Sequence, residues 1–420
     1  MFALVDCNNF YASCERAFNP GLRNTPIVVL SNNDGCIIAR SNEAKALGFK
    51  MGEPAYKVKA LIEQHQAAVF SSNYTLYGDM SQRVMNCLAE FSPDIEIYSI
   101  DEAFIGLQGF DLFDLEAYCR KIRATVMRNT GIPVSIGIAV TKALAKLANH
   151  IAKKEKDCEG VFWINTEEKR KSVLQRMPVT EIWGVGRQYA RLLEKNKLLT
   201  SWDFAQAGEE WVRKNMTVVG LRTLKELQGT SCLSLEMIAP DKKAICTSRS
   251  FGQMQTDAQP IAEAVATFAS RCAAKLRKQK SCANVLMVFI HTNAFRKDLP
   301  QYARNRVVTL PVATNSSMEF VKYAVMAFHS IFQEGFQYKK AGIVVAGIVP
   351  EACVQSNCFD EVERSKQALL MKTLDNINNA LGSEMLKIAT QGSDRKWKLR
   401  QEKLSPCYTT RWKDIITIKT

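Results

Sequence analysis

The stretch Tyr98-Ser99-Ile100-Asp101-Glu102-Ala103-Phe104 sets two adjacent carboxylates into a run that otherwise reads as a buried β-strand. Ile, Tyr and Phe suit a pleated, half-buried surface. Ionised acids inside such a strand are costly unless a counter-charge meets them. A divalent cation is the simplest one, because hard ions such as Mg²⁺ take carboxylate oxygens and leave positions open for phosphate. The same two residues would also be at ease, solvated and idle, at an exposed hairpin tip. Asp101 and Glu102 thus confine the segment to two designs, a metal site or a bare turn.

A third acid closes the first apolar run, Phe2-Ala3-Leu4-Val5-Asp6, which reads as a core strand carrying a carboxylate to its end. The aromatic spacing of Phe10 to Phe18 predicts a helix packed on that sheet. Pro26–Ser31 and Cys36–Arg40 are β-branched runs joined by Asn32-Asn33-Asp34-Gly35, a hairpin pattern. Helical stretches at 43–47, 54–64, 74–91, 114–129 and 142–153 alternate with strand-like 69–70 and 134–140. This alternation predicts an α/β block in which Asp6 and the Asp101-Glu102 pair meet on neighbouring strands.

Charge separates the chain into two regimes. Across 420 residues the formal net charge is +14, which favours a polyanionic partner such as nucleic acid. Residues 1–100 nevertheless hold 8 Lys and Arg against 10 Asp and Glu, so the remainder carries +16. The acidic part suits a metal and the basic part suits phosphates. Thirteen cysteines include no C-x-x-C pair, and the four histidines are scattered, so neither a zinc site nor a disulfide framework is expected. An acid at position 6 argues against a secretory leader, and no apolar run approaches the roughly 18 residues of a membrane span. The expectation is a cytoplasmic protein without membrane contact.

From about Lys171 the pattern turns helical. Ile182-Trp183-Gly184-Val185-Gly186-Arg187 separates two helical stretches, either as a plain turn or as a Gly-x-Gly hairpin whose backbone N–H groups approach a DNA phosphate. Arg187, Arg191 and Lys195 follow it and favour the second reading. After a linker-like stretch through Pro240–Lys243, the order strand, helix, strand, strand, helix, strand over 244–348 predicts a small α+β domain. Arg249 on its first strand is a candidate DNA contact. The last 70 residues are less periodic. Their basic clusters around Trp397 and Trp412 fit a nucleic-acid or protein contact, or indole rings laid on a domain surface.

Three carboxylates on strands of one α/β layer would hold two Mg²⁺ ions roughly 3.5–4 Å apart, the arrangement that stabilises in-line displacement at phosphorus. Arg40, Lys45, Lys146 and Lys153 lie in the same block and would supplement the metals at a triphosphate. The residues by themselves lead to metal-dependent phosphoryl or nucleotidyl transfer on a nucleic acid. Two rivals stand beside it. A palm-fold nucleotide cyclase is disfavoured by the basic C-terminal two-thirds, and a non-catalytic DNA-binding scaffold by the presence of all three acids.

Four elements together resemble the Y-family translesion DNA polymerases: Phe2–Asp6, Tyr98–Phe104, Thr141-Lys142-Ala143-Leu144-Ala145-Lys146-Leu147-Ala148 and Trp183-Gly184-Val185-Gly186. Ser31–Arg40 and the tail Leu404–Arg411 place the resemblance in the bacterial SOS branch. It implies a multidomain right hand, α/β plus α+β. The parts would be an α/β palm at 1–22 and 71–170, small fingers at 23–70 and a helical thumb with a helix-hairpin-helix at 171–233. A linker at 234–242, an α+β little finger at 243–349 and a C-terminal partner-binding tail at 350–420 would complete it. It assigns metal coordination to Asp6, Asp101, Glu102 and the Cys7 carbonyl, and triphosphate contacts to Lys45, Lys153 and Asn42, the last standing where tyrosine is common in other branches. Tyr11, alone only one aromatic of a packed helix, becomes the steric gate against a ribose 2′-OH. Gln355-Ser356-Asn357-Cys358-Phe359 resembles a sliding-clamp peptide, with Gln355 and Phe359 as anchors and Ser356 and Cys358 where larger aliphatic residues are usual. The implied activity is error-prone, template-directed addition of dNTPs to a primer on template DNA, with a dimeric cleaved UmuD-type subunit and RecA as partners.

Overall fold

The computed structural model describes every residue except 111, 239, 383, 395–396 and 418–420. Contacts divide the chain into two compact units. The first comprises Met1–Ser31, Gly35–Ala239 and Lys403–Thr420, and the second Asn32–Asp34 and Pro240–Glu402.

In chain order the first unit contains β1 (Phe2–Cys7), α1 (Phe10–Phe18), β2 (Ile27–Leu30), β3 (Ile37–Arg40), α2 (Asn42–Ala46), α3 (Lys59–Gln64), β4 (Ala68–Ser71) and α4 (Tyr74–Ala89). There follow β5 (Ile95–Ile97), β6 (Glu102–Gly106), α5 (Leu115–Thr130), β7 (Val134–Ala139), α6 (Lys142–Lys154) and β8 (Val161–Trp163). Four helices close it: α7 (Glu167–Arg176), α8 (Arg187–Lys195), α9 (Ser201–Ala205) and α10 (Glu209–Leu227).

The main sheet has the order β5-β6-β1-β7-β8. Its central strand β1 is buried at all six positions, as a strand covered on both faces must be. It runs antiparallel to both neighbours, with Asp6 opposite Glu102 and Ser135. A smaller sheet, β3-β2-β4, contains the expected hairpin, whose turn uses left-handed Asn33 and Asp34 at φ 63° and 51°.

Helix α6 lies unusually close to the sheet. A Cβ on Gly137 of β7 would stand 2.1 Å from the Asn149 backbone nitrogen and 2.3 Å from the Ala145 carbonyl oxygen, so only glycine permits this approach. Asn149 then hydrogen-bonds from its amide to the carbonyls of Leu4, 3.2 Å, and Ser135, 2.7 Å. The Thr141 hydroxyl caps the helix at Leu144 N, and Lys153 and Lys154 occupy its last turn, where cations suit the helix dipole.

The second unit contains β9 (Ile245–Gln255), α11 (Ala258–Lys278), β10 (Ser281–Thr292), β11 (Ala303–Thr314), α12 (Ser317–His329), β12 (Tyr338–Pro350) and α13 (Arg364–Leu381). Its sheet, β11-β10-β12-β9, is antiparallel throughout. Alternate β10 residues Leu286, Val288 and Ile290 are buried with the apolar faces of α11 and α12. Trp397 joins this core, its ring 5.4 Å from Phe268, whereas Trp412 of the first unit is 91% exposed. Arg395 and Lys396, part of the basic cluster around Trp397, lie outside the described residues. Among the described residues no helix is long and apolar enough to cross a membrane.

Candidate active site

The acidic pair departs from the strand expected for it. Residues 99–101 form a bend, and β6 begins only at Glu102. The Ser99 hydroxyl makes the break: it accepts from the backbone N–H of Asp101, 3.2 Å, and Glu102, 3.0 Å, and donates to Asp101 Oδ1, 2.5 Å. Strand alternation therefore does not force the two carboxylates to opposite faces. The Asp101 carbonyl accepts from Cys7 N, 2.8 Å, which fixes the bend against the end of β1.

Asp6, Cys7, Tyr11, Ile100 and Asp101 line a cavity of about 430 Å³ together with Asn9, Arg40, Lys45 and Lys153. Two acids, three cations and one phenol thus face one space. Burial is the largest cause that pushes the Asp6 carboxyl up, to about 7. The Lys153 ammonium, paired with it, pulls it down, and neighbouring Glu102 adds to the rise. Burial and the cations Arg40 and Lys153 lower the Lys45 ammonium. Burial pushes the Tyr11 hydroxyl up to about 12, which keeps it neutral. A cavity that resists both excess negative and excess positive charge suits an anion that arrives with its own cation.

Glu102 stands beside the cavity, its carboxylate held by Lys146 Nζ at 3.0 Å. The same ammonium lies over the rings of Tyr98, 4.5 Å, and Trp183, 5.2 Å, and the Trp183 indole donates to the Tyr98 hydroxyl, 3.1 Å. Lys146, expected at the triphosphate, is thereby placed with Glu102, whereas Lys153, two turns further on the same face of α6, meets Asp6. Among the described residues no three His, Cys, Asp or Glu side chains stand as a ready-made metal cage. Asp6 and Glu102 are instead turned to ammonium groups. The donors are hard carboxylate oxygens already drawing cations, and they fit a divalent ion of the Mg²⁺ type.

Asn42, at the start of α2, does not line the cavity. Its amide oxygen accepts from Asn9 Nδ2, 3.0 Å, and from Lys45 Nζ, 3.4 Å, and Lys45 also pairs with Asn9 Oδ1. Asn9 went unforeseen. It stands just before α1 in a left-handed conformation, φ 49°, with its side chain turned to Asn42 and Lys45, and an asparagine directly before a helical aromatic run is the signal that would have found it.

The remaining candidates are spread out. Gly184 has φ +89° and Gly186 caps α8 with open space at its Cβ, ahead of exposed Arg187. Arg249 pairs in register with buried Ala341 and shares its side of the sheet with Thr247, which bonds Lys275 of α11. It is therefore half-buried on the helix-covered face. Gln355 and Phe359 follow β12 on the surface of the second unit, with Phe359 90% exposed.

Residues 5–150 match the impB/mucB/samB family, residues 242–358 its C-terminal domain, and residues 368–418 a domain of unknown function, DUF4113. Protein UmuC of Salmonella typhimurium is 43% identical over 422 residues, covering 100% of both chains. The chain belongs to the impB/mucB/samB family. Within this family, Protein MucB of Escherichia coli is 41% identical over 417 residues, 99% of each chain. A DNA polymerase IV of Moorella thermoacetica is 26% identical over 402 residues, 91% of this chain and 94% of its own. A solved Y-family DNA polymerase chimera shares the fold with a TM-score of 0.65 over 83% of this chain and 99% of its own, at 21% identity. The impB/mucB/samB chain is a DNA-directed DNA polymerase of the Y family, of the translesion type.

Proposed function

We propose that this polymerase extends a DNA primer across damaged template bases, with low fidelity, in the SOS response, by two-metal nucleotidyl transfer. The observation that carries the reading is the single cavity in which Asp6 and Asp101 face Arg40, Lys45 and Lys153 beside Tyr11.

In this reading Asp6, Asp101, Glu102 and the Cys7 carbonyl would hold two Mg²⁺ ions. When bound, the metal neutralises charge developing on the phosphate and favours ionisation of the primer 3′-OH. Arg40, Lys45 and Lys153 neutralise and orient the dNTP triphosphate, and Asn42, with Asn9, holds the Lys45 ammonium in place. Release of Lys153 from Asp6 toward the phosphates would free that carboxylate for the cation. Tyr11 takes the space a ribose 2′-OH needs.

The domain plan of palm, fingers, thumb, linker, little finger and tail, with the boundaries given above, goes with this reading. Gly184, Gly186 and Arg187 would take the DNA backbone at the start of α8, and Arg249 would add a contact from β9. A dimeric cleaved UmuD-type subunit and RecA would act with the chain in the cytoplasm. The sliding clamp would engage weakly through Gln355 and Phe359.

The test is primer extension by the full chain past a template abasic site, with Mg²⁺ and then with EDTA, alone and with the UmuD-type dimer and a RecA filament. Bypass that requires the metal is expected. Extension that persists in EDTA would sink the two-metal mechanism, and a failure to bypass under every condition would sink the translesion assignment.

A further inference from the structure

The helix that carries Tyr11 is closed from behind by a segment almost 400 positions away in the chain. Glu15 lies one helical turn beyond Tyr11 on the same side of α1 and is 2% exposed. Its Oε1 accepts two hydrogen bonds, from the Tyr77 hydroxyl of α4 at 2.6 Å and from Ser405 Oγ at 2.9 Å. Tyr77 is fully buried, and its ring stacks on Tyr11 with centroids 4.4 Å apart and planes 15° apart.

The tail is built in rather than laid on. The Asn73 amide donates to Ser405 at both the carbonyl, 2.9 Å, and Oγ, 3.0 Å. Lys403 and Ser71 exchange hydrogen bonds, Ser71 N to the Lys403 carbonyl at 2.9 Å and Lys403 N to Ser71 Oγ at 3.0 Å. Tyr408 stacks on Phe18 at the far end of α1, centroids 4.8 Å apart. One chain of buried contacts thus runs from Ser405 through Glu15 and Tyr77 to the ring of Tyr11.

We propose that residues 403–408 form the back wall of the sugar gate, with Ser405, Glu15 and Tyr77 as positioning residues that set the depth and tilt of Tyr11. The proposal rests on the reading of Tyr11 as that gate. A gate excludes one hydroxyl, so a displacement of about 1 Å is enough to change its selectivity. The Tyr77 ring takes up the back of Tyr11, and its own position is fixed by a hydroxyl bonded in a buried, low-dielectric setting where such bonds hold geometry well. Without Ser405 Oγ, Glu15 loses one of its two donors and Asn73 one acceptor, and the Tyr77 hydroxyl loses the partner that holds its anchor.

The test is single-nucleotide incorporation opposite one template base by the full chain, with the ratio of kcat/KM for dNTP over rNTP as readout. That ratio is internal to the folded fraction and is not moved by a partial loss of folded protein. Ser405→Ala and, independently, Tyr77→Phe, which keeps the stacked ring, are each expected to lower it roughly tenfold, the loss of one buried hydrogen bond's worth of positioning. Glu15→Gln, which still accepts from both hydroxyls, is expected to keep it. Tyr11→Ala is expected to lower it furthest. If Tyr11→Ala relaxes the ratio while Ser405→Ala and Tyr77→Phe leave it within about twofold of wild type, the back wall is overturned and the gate stands. If Tyr11→Ala itself leaves the ratio unchanged, the gate reading fails and takes this proposal with it. Equal losses with both sugars in the two variants make the tail a structural support only, which also overturns it.

Discussion

On the two sides of the Tyr11 ring a buried carboxylate is treated in opposite ways. In front, Asp6 is paired with the Lys153 ammonium, and two further cations share its cavity. Behind, Glu15 is met by the neutral hydroxyls of Tyr77 and Ser405. Burial raises both acids. Only in front does the protein supply positive charge against that rise. An acid given a cation in a hollow is ready to exchange it for another, whereas an acid given hydroxyls in a packed interior holds neighbours in place. The difference assigns chemistry to the front and positioning to the back.

The largest effect is expected at the front. Asp101→Ala is expected to reduce primer extension on the order of a thousandfold, since the loss of a metal ligand removes several kcal/mol of charge stabilisation. Binding of primer-template DNA, followed by anisotropy, should persist. Undiminished extension by the variant would remove the acids from the reaction. Gly137→Ala attacks the same side through the fold. Its Cβ meets the α6 backbone rather than a flexible side chain, so about 3 kcal/mol of stability should go, and with it the seat of Lys153. A melting temperature equal to wild type would mean that α6 is free to move off the sheet.

A smaller effect sharpens the division of labour among the lysines. Lys153→Ala should raise KM for the incoming dNTP about tenfold, with DNA affinity unchanged, as expected for one lost charged contact to a phosphate. Lys146→Ala should leave that KM near wild type, because Lys146 serves Glu102, Tyr98 and Trp183 outside the cavity. Steady-state kinetics against dNTP concentration separate the two, and equal KM effects would erase the distinction.

Much of this front was legible in the sequence because it is made of regular, buried elements. β1 carries an acid after four apolar residues, one position before its end, and the alternation of strands and helices brings Asp6 opposite Glu102. The bend at 99–101 was hidden because an apolar strand-like composition runs across it, and the interruption comes from one serine hydroxyl competing with the ladder. The lysine assignments required the rotation of α6 against the sheet, which depends on contact at Gly137 and not on period. Helix α13 was illegible for another reason. Met371 alone among its described residues is buried, and the helix is tied down by ion pairs such as Arg277 with Asp375, 2.6 Å, and Arg364 with Glu319, 2.7 Å, whose partners lie far off in the chain. The back wall was out of reach altogether. Residues Glu15, Tyr77 and Ser405 look ordinary singly, and only the folded chain joins them.

The mildest change concerns Glu15 and depends on pH. Burial is the largest cause holding its carboxyl above the usual range, with the Tyr77 and Ser405 hydroxyls acting against it. The native state therefore keeps this proton more tightly than the unfolded chain. Its contribution to stability is complete below the unfolded carboxyl value, about 4.3, and is lost as pH rises through the raised native value. Gln at this position has no proton to give up. The melting temperature of Glu15→Gln should therefore gain on that of the wild type as pH rises above about 4, and the gain should level off once the native carboxyl has ionised. A difference that stays flat across that range would show that Glu15 feels no more burial than a surface acid, and the contrast with the lysine-compensated cavity in front of Tyr11 would then lose its electrostatic basis.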